Sequence, residues 1–222
     1  MNDISRPLAR SIQEAPVRAP LLRGIHHLAI NTDDLRATLD FYVRVLGMPL
    51  LHGLITGSNA AARAEARGNP PFDNIPHYFV DMGGDSTLAI FEFAKGKTPK
   101  ADRNSVAGMQ HMSFACIPSR FVEMQDRLRR NGVAIVFGPQ VVLPPNIQSI
   151  YFFDPNGIRL EISTDMSGTD ADLNVVRSVL MNREAMQSEL AKVSDDPAWI
   201  GEMLANMPAD RPLYPGAKMP GK

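Results

Sequence analysis

An internal repeat constrains the possible folds of this chain more than any other feature. The segment GIHHLAI begins at Gly24, and a similar segment, GMQHMSF, begins at Gly108. Each segment is followed by an amphipathic helical pattern and then by strand-like segments, so each repeat reads strand–helix–strand–strand–strand. A sheet with a helix on one face needs a partner for its other face. The repeat therefore predicts an α+β fold in which two βαβββ modules form a curled mixed sheet around a common cavity.

The repeat also divides the chain into parts, because the composition changes on both sides of residues 23–164. Beyond Thr164 the apolar residues recur at helical spacing. The predicted parts are an N-terminal arm over 1–22, a first module over 23–95, a second module over 107–164, and a C-terminal helical extension and tail over 165–222, with helices at Leu173–Val193 and Pro197–Met207.

Turn signals locate the hairpin that ends each module. In SIYFFDPNGIRLEI (Ser149–Ile162), two strand-like segments flank the turn residues Asp154–Gly157. The segment His77–Phe93 is predicted to form the matching hairpin of the first module. Aligning the two hairpins by their aromatic residues pairs Tyr78 with Tyr151 and puts one extra residue in the first turn.

Three other segments complete the predicted modules. Residues 56–76 are rich in Gly, Ala, Arg, Asn and Pro, which indicates a long loop with a short helix at Ala60–Ala66. Such a segment is either a lid or binding loop or a disordered insertion. Phe121–Arg130 has the pattern of an amphipathic helix that ends at Asn131-Gly132. Val133–Phe137 is predicted to be a strand, and a Pro-rich loop follows it.

Composition excludes several function classes. The formal net charge is −1, so there is no basic field to hold nucleic acid or an anionic membrane. The single cysteine excludes an internal disulfide and is typical of a reducing compartment. No apolar run approaches the length of a transmembrane helix. We therefore expect a cytoplasmic protein that acts on a small molecule and has no nucleic-acid or membrane partner.

Strand alternation predicts a metal site. In each first strand, the period that buries Leu28 and its counterpart Met112 turns His27 and His111 to the opposite face. In the last strand, Glu161 is turned to that same face. One strand carboxylate by itself is more often a solvated surface residue. Two imidazoles and a carboxylate at repeat-related positions instead form the ligand set of a 2-His-1-carboxylate site.

These segments resemble the vicinal oxygen chelate superfamily, which includes glyoxalases, bleomycin- and fosfomycin-resistance proteins and extradiol ring-cleaving dioxygenases. The resemblance rests on GIHHLAI…FYVRVLGMPL, GMQHMSFAC and YFFDPNGIRLEI, and is strongest to proteins described as biphenyl-2,3-diol 1,2-dioxygenase III-related. It implies that His27, His111 and Glu161 are the metal ligands. The glyoxalase I pattern has a fourth ligand where this chain has Ala89, so the resemblance favours a three-ligand site.

The extradiol pattern assigns further residues by resemblance. Its tyrosine is matched by Tyr151, ten residues before Glu161, but its histidine, which would fall within 142–144, is absent. His52 and His77 of the first module are the candidates to replace it as acid/base residues. The alignment through Tyr78 predicts that the neighbouring His77 faces away from the site.

The first hypothesis is a non-haem Fe(II) extradiol dioxygenase, in which a catecholic substrate and O2 react at the metal while Tyr151 donates a hydrogen bond. The second is an isomerase, epimerase or lyase of the same fold that uses Mn(II) or another divalent ion. The third is a protein that sequesters a small molecule without chemistry. The resemblance also implies a homodimer.

Overall fold

The computed structural model describes residues 24–56, 75–143, 147–166, Asp170 and 181–207. The chain divides into two compact units, one formed by residues 24–178 and the other by residues 1–23 and 179–222. The predicted N-terminal arm, the helix at Ala60–Ala66 and the first part of the Leu173–Val193 helix lie outside the described residues.

The first module begins with β1 (His27–Thr32) and α1 (Leu35–Leu39), which continues as a π-helical turn over Asp40–Val45. Asp34 caps the N-terminus of α1 by accepting a hydrogen bond from the Ala37 amide. Gly47 follows the helical segment and has φ +81°, in the left-handed region typical of a helix C-terminus. The remaining strands are β2 (Leu50–Thr56), β3 (Ile75–Gly83) and β4 (Ser86–Glu92). They form a sheet in the order β1-β4-β3-β2, in which only the β1–β4 pair is parallel.

The second module repeats this topology. Its elements are β5 (Met112–Ala115), a 3-10 turn (Pro118–Arg120), α2 (Phe121–Arg130), β6 (Phe137–Leu143), β7 (Ile147–Phe153) and β8 (Arg159–Asp165). The sheet order is β5-β8-β7-β6, again with one parallel pair, β5–β8. The predicted α+β fold with two βαβββ modules is therefore confirmed.

One strand of the second module differs from the prediction. The segment Val133–Phe137 was expected to be the strand, but β6 starts only at Phe137 and includes the Pro-containing segment that follows. This is possible because β6 lies at the edge of its sheet, where the missing N–H of Pro139 interrupts no ladder on the outer side. The register shift between Phe137 and Gln140 accommodates the proline.

The two modules share one hydrophobic core. The inner face of each sheet is formed by the apolar residues that alternate with the candidate ligands. The helix of each module packs on the inner face of its sheet. Phe41 of the first module and Phe152 of the second lie 6.4 Å apart between ring centroids. The core residues are Ile30, Leu35, Phe41, Tyr42, Met48, Val80, Leu88, Ile90, Met112, Phe121, Leu128, Ile150, Phe152, Leu160 and Ile162.

A polar network at the β7–β8 turn joins the modules. Asp154 is 5% exposed and accepts hydrogen bonds from the amides of Asn156 and Ile158 and from the Tyr42 hydroxyl at 3.2 Å. Burial raises the pKa of this carboxyl although the hydrogen bonds favour the ionised form. The Asn156 side chain bonds Thr32 and Thr38 of the first module at 2.7 and 3.2 Å. The Asp154–Gly157 turn, which the sequence predicted only as a hairpin turn, therefore also holds the two modules together.

A second polar contact between the modules comes from α2. Arg127 donates from Nε to the Val45 carbonyl at 2.6 Å and from Nη2 to the Arg44 carbonyl at 2.7 Å. These carbonyls belong to the last turn of the first module's helix, where backbone acceptors have no partner within the helix. The guanidinium thus completes the end of a helix in the other module.

We expect Arg127→Met to lower the free energy of unfolding by about 2 kcal/mol, since charged hydrogen bonds are lost while the aliphatic packing is retained. Urea denaturation of the full chain measures this. The control is Arg130→Met on the exposed side of the same helix, which we expect to change stability by no more than about 0.5 kcal/mol. Equal effects of the two substitutions would contradict the role of Arg127 at the module junction.

The second unit, within its described residues, consists of α3 (Arg183–Leu190) and α4 (Pro197–Ala205). Asn182 and Asp196 cap them by accepting from the Ala185 and Ala198 amides. The helix predicted at Pro197–Met207 is confirmed, whereas the helix predicted over Leu173–Val193 is not continuous, because Asn182 is extended and α3 begins only at Arg183. No helix of the described residues has the length and apolar composition needed to cross a membrane.

Candidate metal centre

The outer face of the second sheet carries one half of the predicted site. In the strand register, Glu161 of β8 lies between Ser113 of β5 and Tyr151 of β7. His111 immediately precedes β5, and its Nε2 is 2.8 Å from Glu161 Oε2. The structure therefore brings His111, Glu161 and Tyr151 together as predicted.

The carboxylate of Glu161 is held by hydroxyl groups. The residue is 5% exposed, and burial raises its pKa, but hydrogen bonds from Tyr151, Ser149, Ser113 and Ser163 outweigh this and leave the pKa below its usual value. The serine hydroxyls also contact one another at 2.9 and 3.0 Å, with Ser163 between the other two. A carboxylate fixed in its ionised form is suited to bind a cation.

Tyr151 remains a proton donor near neutral pH. Burial, together with its hydrogen bond to Glu161 and the charge of that carboxylate, raises its pKa to about 12, and only Arg159 acts in the opposite direction. The Arg159 guanidinium lies over the Tyr151 ring at 4.4 Å from the centroid. The His111 ring contacts the same tyrosine edge-on at 5.6 Å.

The two predicted histidine ligands are oriented in the same way. His111 Nδ1 bonds the Oε1 atom of Gln110, and His27 Nδ1 bonds Nδ1 of His26 at 3.0 Å. In both cases the side chain of the preceding residue forms a hydrogen bond with the Nδ1 atom. A histidine that donates from Nδ1 has its Nε2 lone pair available for a metal. The acceptor oxygen of Gln110 favours this tautomer for His111, whereas the Nδ1–Nδ1 contact between His27 and His26 is compatible with either ring as the donor.

His27 lies apart from the other two predicted ligands. It is exposed on the outer face of the first sheet, and its ring contacts are His26 and Phe79. Within the residues the structure describes, no group of three His, Cys, Asp or Glu side chains is placed to hold a metal. A single copy of the chain therefore brings together two of the three predicted ligands, and the three-ligand assignment stays a prediction.

The geometry of the pair fits two ligands of one ion. Two atoms bound at about 2.0–2.2 Å and at a right angle are separated by about 3 Å. The 2.8 Å between His111 Nε2 and Glu161 Oε2 matches this separation. The pair consists of an imidazole nitrogen and a carboxylate oxygen, a donor set typical of Fe(II), Mn(II) and Zn(II) sites.

His77 faces the side of the first sheet that carries His27, so the prediction that it faces away was wrong. Ala89 pairs with Phe79, just as Glu161 pairs with Tyr151, so Phe79 and not Tyr78 corresponds to Tyr151. His77 lies two residues before Phe79 and shares its face. Phe79 and Ala89 are ten residues apart, as are Tyr151 and Glu161, so the two hairpins have the same length. The alignment of Tyr78 with Tyr151 assumed one extra residue in the first turn and was therefore wrong by one position.

The histidines of the first module surround Phe79. The centroids of His27, His52 and His77 lie 6.1, 6.3 and 5.7 Å from the centroid of Phe79. His77 also stacks on Phe91 at 4.7 Å with an interplanar angle of 15°. It is 8% exposed, and its Nδ1 has no hydrogen-bond partner among the described residues. Both candidate acid/base residues therefore lie on the same face as His27.

Sequence reasoning missed the residues that support the ligands. The serines around Glu161 and the side chains that hold the histidine Nδ1 atoms were not singled out. Alternation could have identified all three serines, because each lies two residues from a candidate site residue: Ser113 from His111, Ser149 from Tyr151 and Ser163 from Glu161. No sequence pattern indicated the roles of Gln110 and His26, apart from their position directly before a candidate ligand.

Comparison with known proteins identifies a family whose model matches most of the two modules. A family model described as the glyoxalase/bleomycin resistance protein/dioxygenase superfamily matches residues 24–162. This range contains both modules, the three predicted ligands and Tyr151.

Similar solved structures each cover about two thirds of the chain. A glyoxalase family protein from Enterococcus faecalis is 24% identical, with 63% of this chain and 96% of that chain covered and a TM-score of 0.47. A glyoxylase/bleomycin resistance protein/dioxygenase domain from Frankia is 20% identical, with coverages of 65% and 98% and a TM-score of 0.50. The fosfomycin resistance protein FosX of Listeria monocytogenes is 16% identical, with coverages of 71% and 98% and a TM-score of 0.46.

Proposed function

Because the chain belongs to the glyoxalase/bleomycin resistance protein/dioxygenase superfamily, we propose that it is a metal-dependent enzyme whose ion is held by His27, His111 and Glu161. The observation that carries the proposal is the contact between His111 and Glu161 at 2.8 Å. The ionised carboxylate and the two imidazoles supply the ligand chemistry of a three-ligand site. Ala89, at the position of a fourth ligand in glyoxalase I, has no donor atom.

We propose that a second copy of the chain completes each centre. Both sheets bury their inner faces in one core, so a single copy presents His27 and the His111–Glu161 pair on faces turned in different directions. In a two-fold dimer, the first sheet of one copy can lie against the second sheet of the other. Exposed apolar residues on the edge strands β2 and β6 supply surface for such contacts: Leu50, Leu51, Leu54, Phe137 and Val141.

The reaction we propose is extradiol ring cleavage of a catecholic substrate, with Fe(II) as the metal. When bound, Fe(II) would supply open positions that lower the pKa of a catechol hydroxyl and bring substrate and O2 together. Tyr151 holds its phenolic proton and donates it in a hydrogen bond. Phe79 and Phe91 offer apolar rings on the His27 side against which an aromatic substrate can stack.

The proton transfers are assigned to His52 and His77. Ring cleavage requires a group that accepts a proton from the substrate hydroxyl. The second module has no histidine at 142–144, but both first-module histidines share the face of His27. His77 has the unpartnered Nδ1 and is the better protected from water. This placement favours the dioxygenase over the isomerase, epimerase or lyase reading, which rested on the missing histidine.

Oxygen consumption tests the proposal. Purified protein reconstituted anaerobically with Fe(II) is given a panel of catechols, and oxygen uptake and the yellow ring-opened product are followed after air is admitted. Uptake that requires both iron and a catechol is expected. Turnover with Mn(II), Co(II) or Ni(II) and no oxygen uptake would favour an isomerase or lyase, and tight ligand binding without turnover would favour sequestration.

Tyr151→Phe is expected to slow turnover by about 10²–10⁴-fold while leaving metal content unchanged, because the phenol donates a proton and is not a ligand. Steady-state kinetics and metal analysis of the same preparation check this. Tyr78→Phe is the matched control, since Tyr78 lies on the inner face of the first sheet. Metal loss in Tyr151→Phe would show that its main role is to hold Glu161.

Gln110→Ala and His26→Ala are each expected to weaken metal affinity by about 10–100-fold, as removal of a group that orients a ligand does. Both side chains occupy the Nδ1 atom of a predicted ligand histidine. Competition with a chromophoric chelator measures the affinity. Gln187→Ala, at an exposed position of α3, is the control that should leave it unchanged. Unchanged affinity in both test variants would mean that these side chains do not orient the ligands.

A further inference from the structure

We propose that a cavity beside the second module's β7–β8 turn binds a small organic anion with an apolar body. The cavity has a volume of about 360 Å³. We call it the linker cavity, because residues 98–101 and Arg103 of the segment between the modules form one wall and the end of β1 and the turn around Asn156 form the others. Its size lies in the range of small-molecule sites. The inference does not depend on the proposed metal or reaction.

Charge in the linker cavity is strongly one-sided. Lys100, Arg103 and Arg159 line it, and Asp33 is the one acidic residue among the described lining residues. One carboxylate oxygen of Asp33 is already bonded to the Gly96 amide at 3.1 Å. The cavity therefore has an excess of positive charge.

Within the described part of the chain, no carboxylate pairs with the cations of the cavity. Arg103 lies over the Phe153 ring at 5.5 Å, and Arg159 lies over the Tyr151 ring at 4.4 Å. Among the described residues, neither arginine nor Lys100 forms an ion pair. Aromatic faces hold the two guanidinium groups in place while leaving their N–H donors available. Such groups are suited to bind the oxygens of a carboxylate or phosphate.

The remaining walls suit an apolar group. Phe93, Met109 and Ile158 contribute carbon surface around the charged residues. Met109 is 39% exposed, so part of this surface would be removed from water by a ligand. A cavity that combines apolar walls with convergent cations selects an anion that carries a hydrocarbon or aromatic body over a bare inorganic ion.

The cavity borders the candidate centre through one residue. Arg159 lies two positions before Glu161 on β8, and both point to the outer face. Its guanidinium contacts Tyr151, the residue that bonds Glu161. A bound anion would therefore lie next to the second-module half of the centre, and Arg159 would contact both.

Isothermal titration calorimetry of the full chain tests the inference, with chelator present so that no probe can bind a metal. The probes are benzoate, phenyl phosphate and benzamide, which has the shape of benzoate without its charge. We expect at least one of the two anions to bind about tenfold or more tightly than benzamide, and the affinity to fall as salt is added. Whichever anion binds more tightly identifies the headgroup class.

Variants localise the binding. Arg103→Gln and Lys100→Gln are each expected to weaken binding of the preferred anion by about tenfold. Arg130→Gln, which removes an exposed charge on α2, should leave it unchanged. Circular dichroism checks that the variants fold. Equal affinity for benzamide, no binding of either anion at millimolar concentration, or an unchanged affinity in both cavity variants would overturn the inference.

Discussion

Mixing a His27→Ala protein with a His111→Ala protein is expected to restore metal binding and turnover that neither variant has by itself. Each substitution removes one ligand from every centre of its own homodimer. In a mixed dimer, the intact His27 of one copy and the intact His111 and Glu161 of the other meet in one of the two centres. Half of the randomly exchanged dimers are mixed, so about a quarter of the wild-type centres should return.

Metal content per chain and oxygen uptake measure this recovery after the variants are mixed under conditions that allow exchange. The matched control mixes His111→Ala with Glu161→Ala, which lie on the same half of the centre and should not complement each other. Recovery in that control, or none in the test mixture when mass spectrometry shows mixed dimers, would contradict a centre shared between copies. Full metal content in either single variant would remove that histidine from the ligand set.

The largest effect on stability is expected from Asp154→Ala, which should lower the free energy of unfolding by about 3 kcal/mol. The substitution leaves the Tyr42 hydroxyl and the Asn156 and Ile158 amides without their acceptor in a buried setting. It also loosens the Asn156 side chain, which bonds Thr38 of the other module. The modules should lose part of their coupling as well as their stability.

Urea denaturation followed by both circular dichroism and tyrosine fluorescence measures the change and reports whether one transition remains. Asp154→Asn keeps an acceptor in the turn, and we expect a smaller loss from it. Asp126→Ala removes an exposed carboxylate paired with Arg129 and should cost about 0–1 kcal/mol. An Asp154→Ala protein as stable as Asp126→Ala would show that the turn network contributes little to the module junction.

Local sequence patterns were sufficient for the elements and for the outward direction of the ligands. A period of two in β1 and β8 and just before β5 turned His27, Glu161 and His111 away from the apolar core, and each is found there. The repeat predicted the same order of elements along the chain in both modules, and the two sheets have corresponding strand orders. These properties depend on residues close together in the chain, and alternation expresses them directly.

The side on which His77 lies required the tertiary structure. Counting back from the aromatic residues put Tyr78 in the place of Tyr151, but the pairing of β3 with β4 puts Phe79 there. A register shift of one residue moves every side chain of a strand to the other face. Register is fixed by hydrogen bonds between strands, and the residue pattern of β3 alone is compatible with either face.

The sequence by itself determined two repeated modules, their buried stripes and three metal-competent side chains on strand faces opposite those stripes. Only the tertiary structure decided that His111 and Glu161 are in contact, that Ser113, Ser149 and Ser163 surround the carboxylate, and that His27 lies elsewhere in the same copy. The physical reason is that alternation specifies a direction relative to one sheet. The placement of one sheet against the other follows from how both inner faces fill a common core, and from the hydrogen bonds of Asp154, Asn156 and Arg127 that join the modules across long stretches of chain.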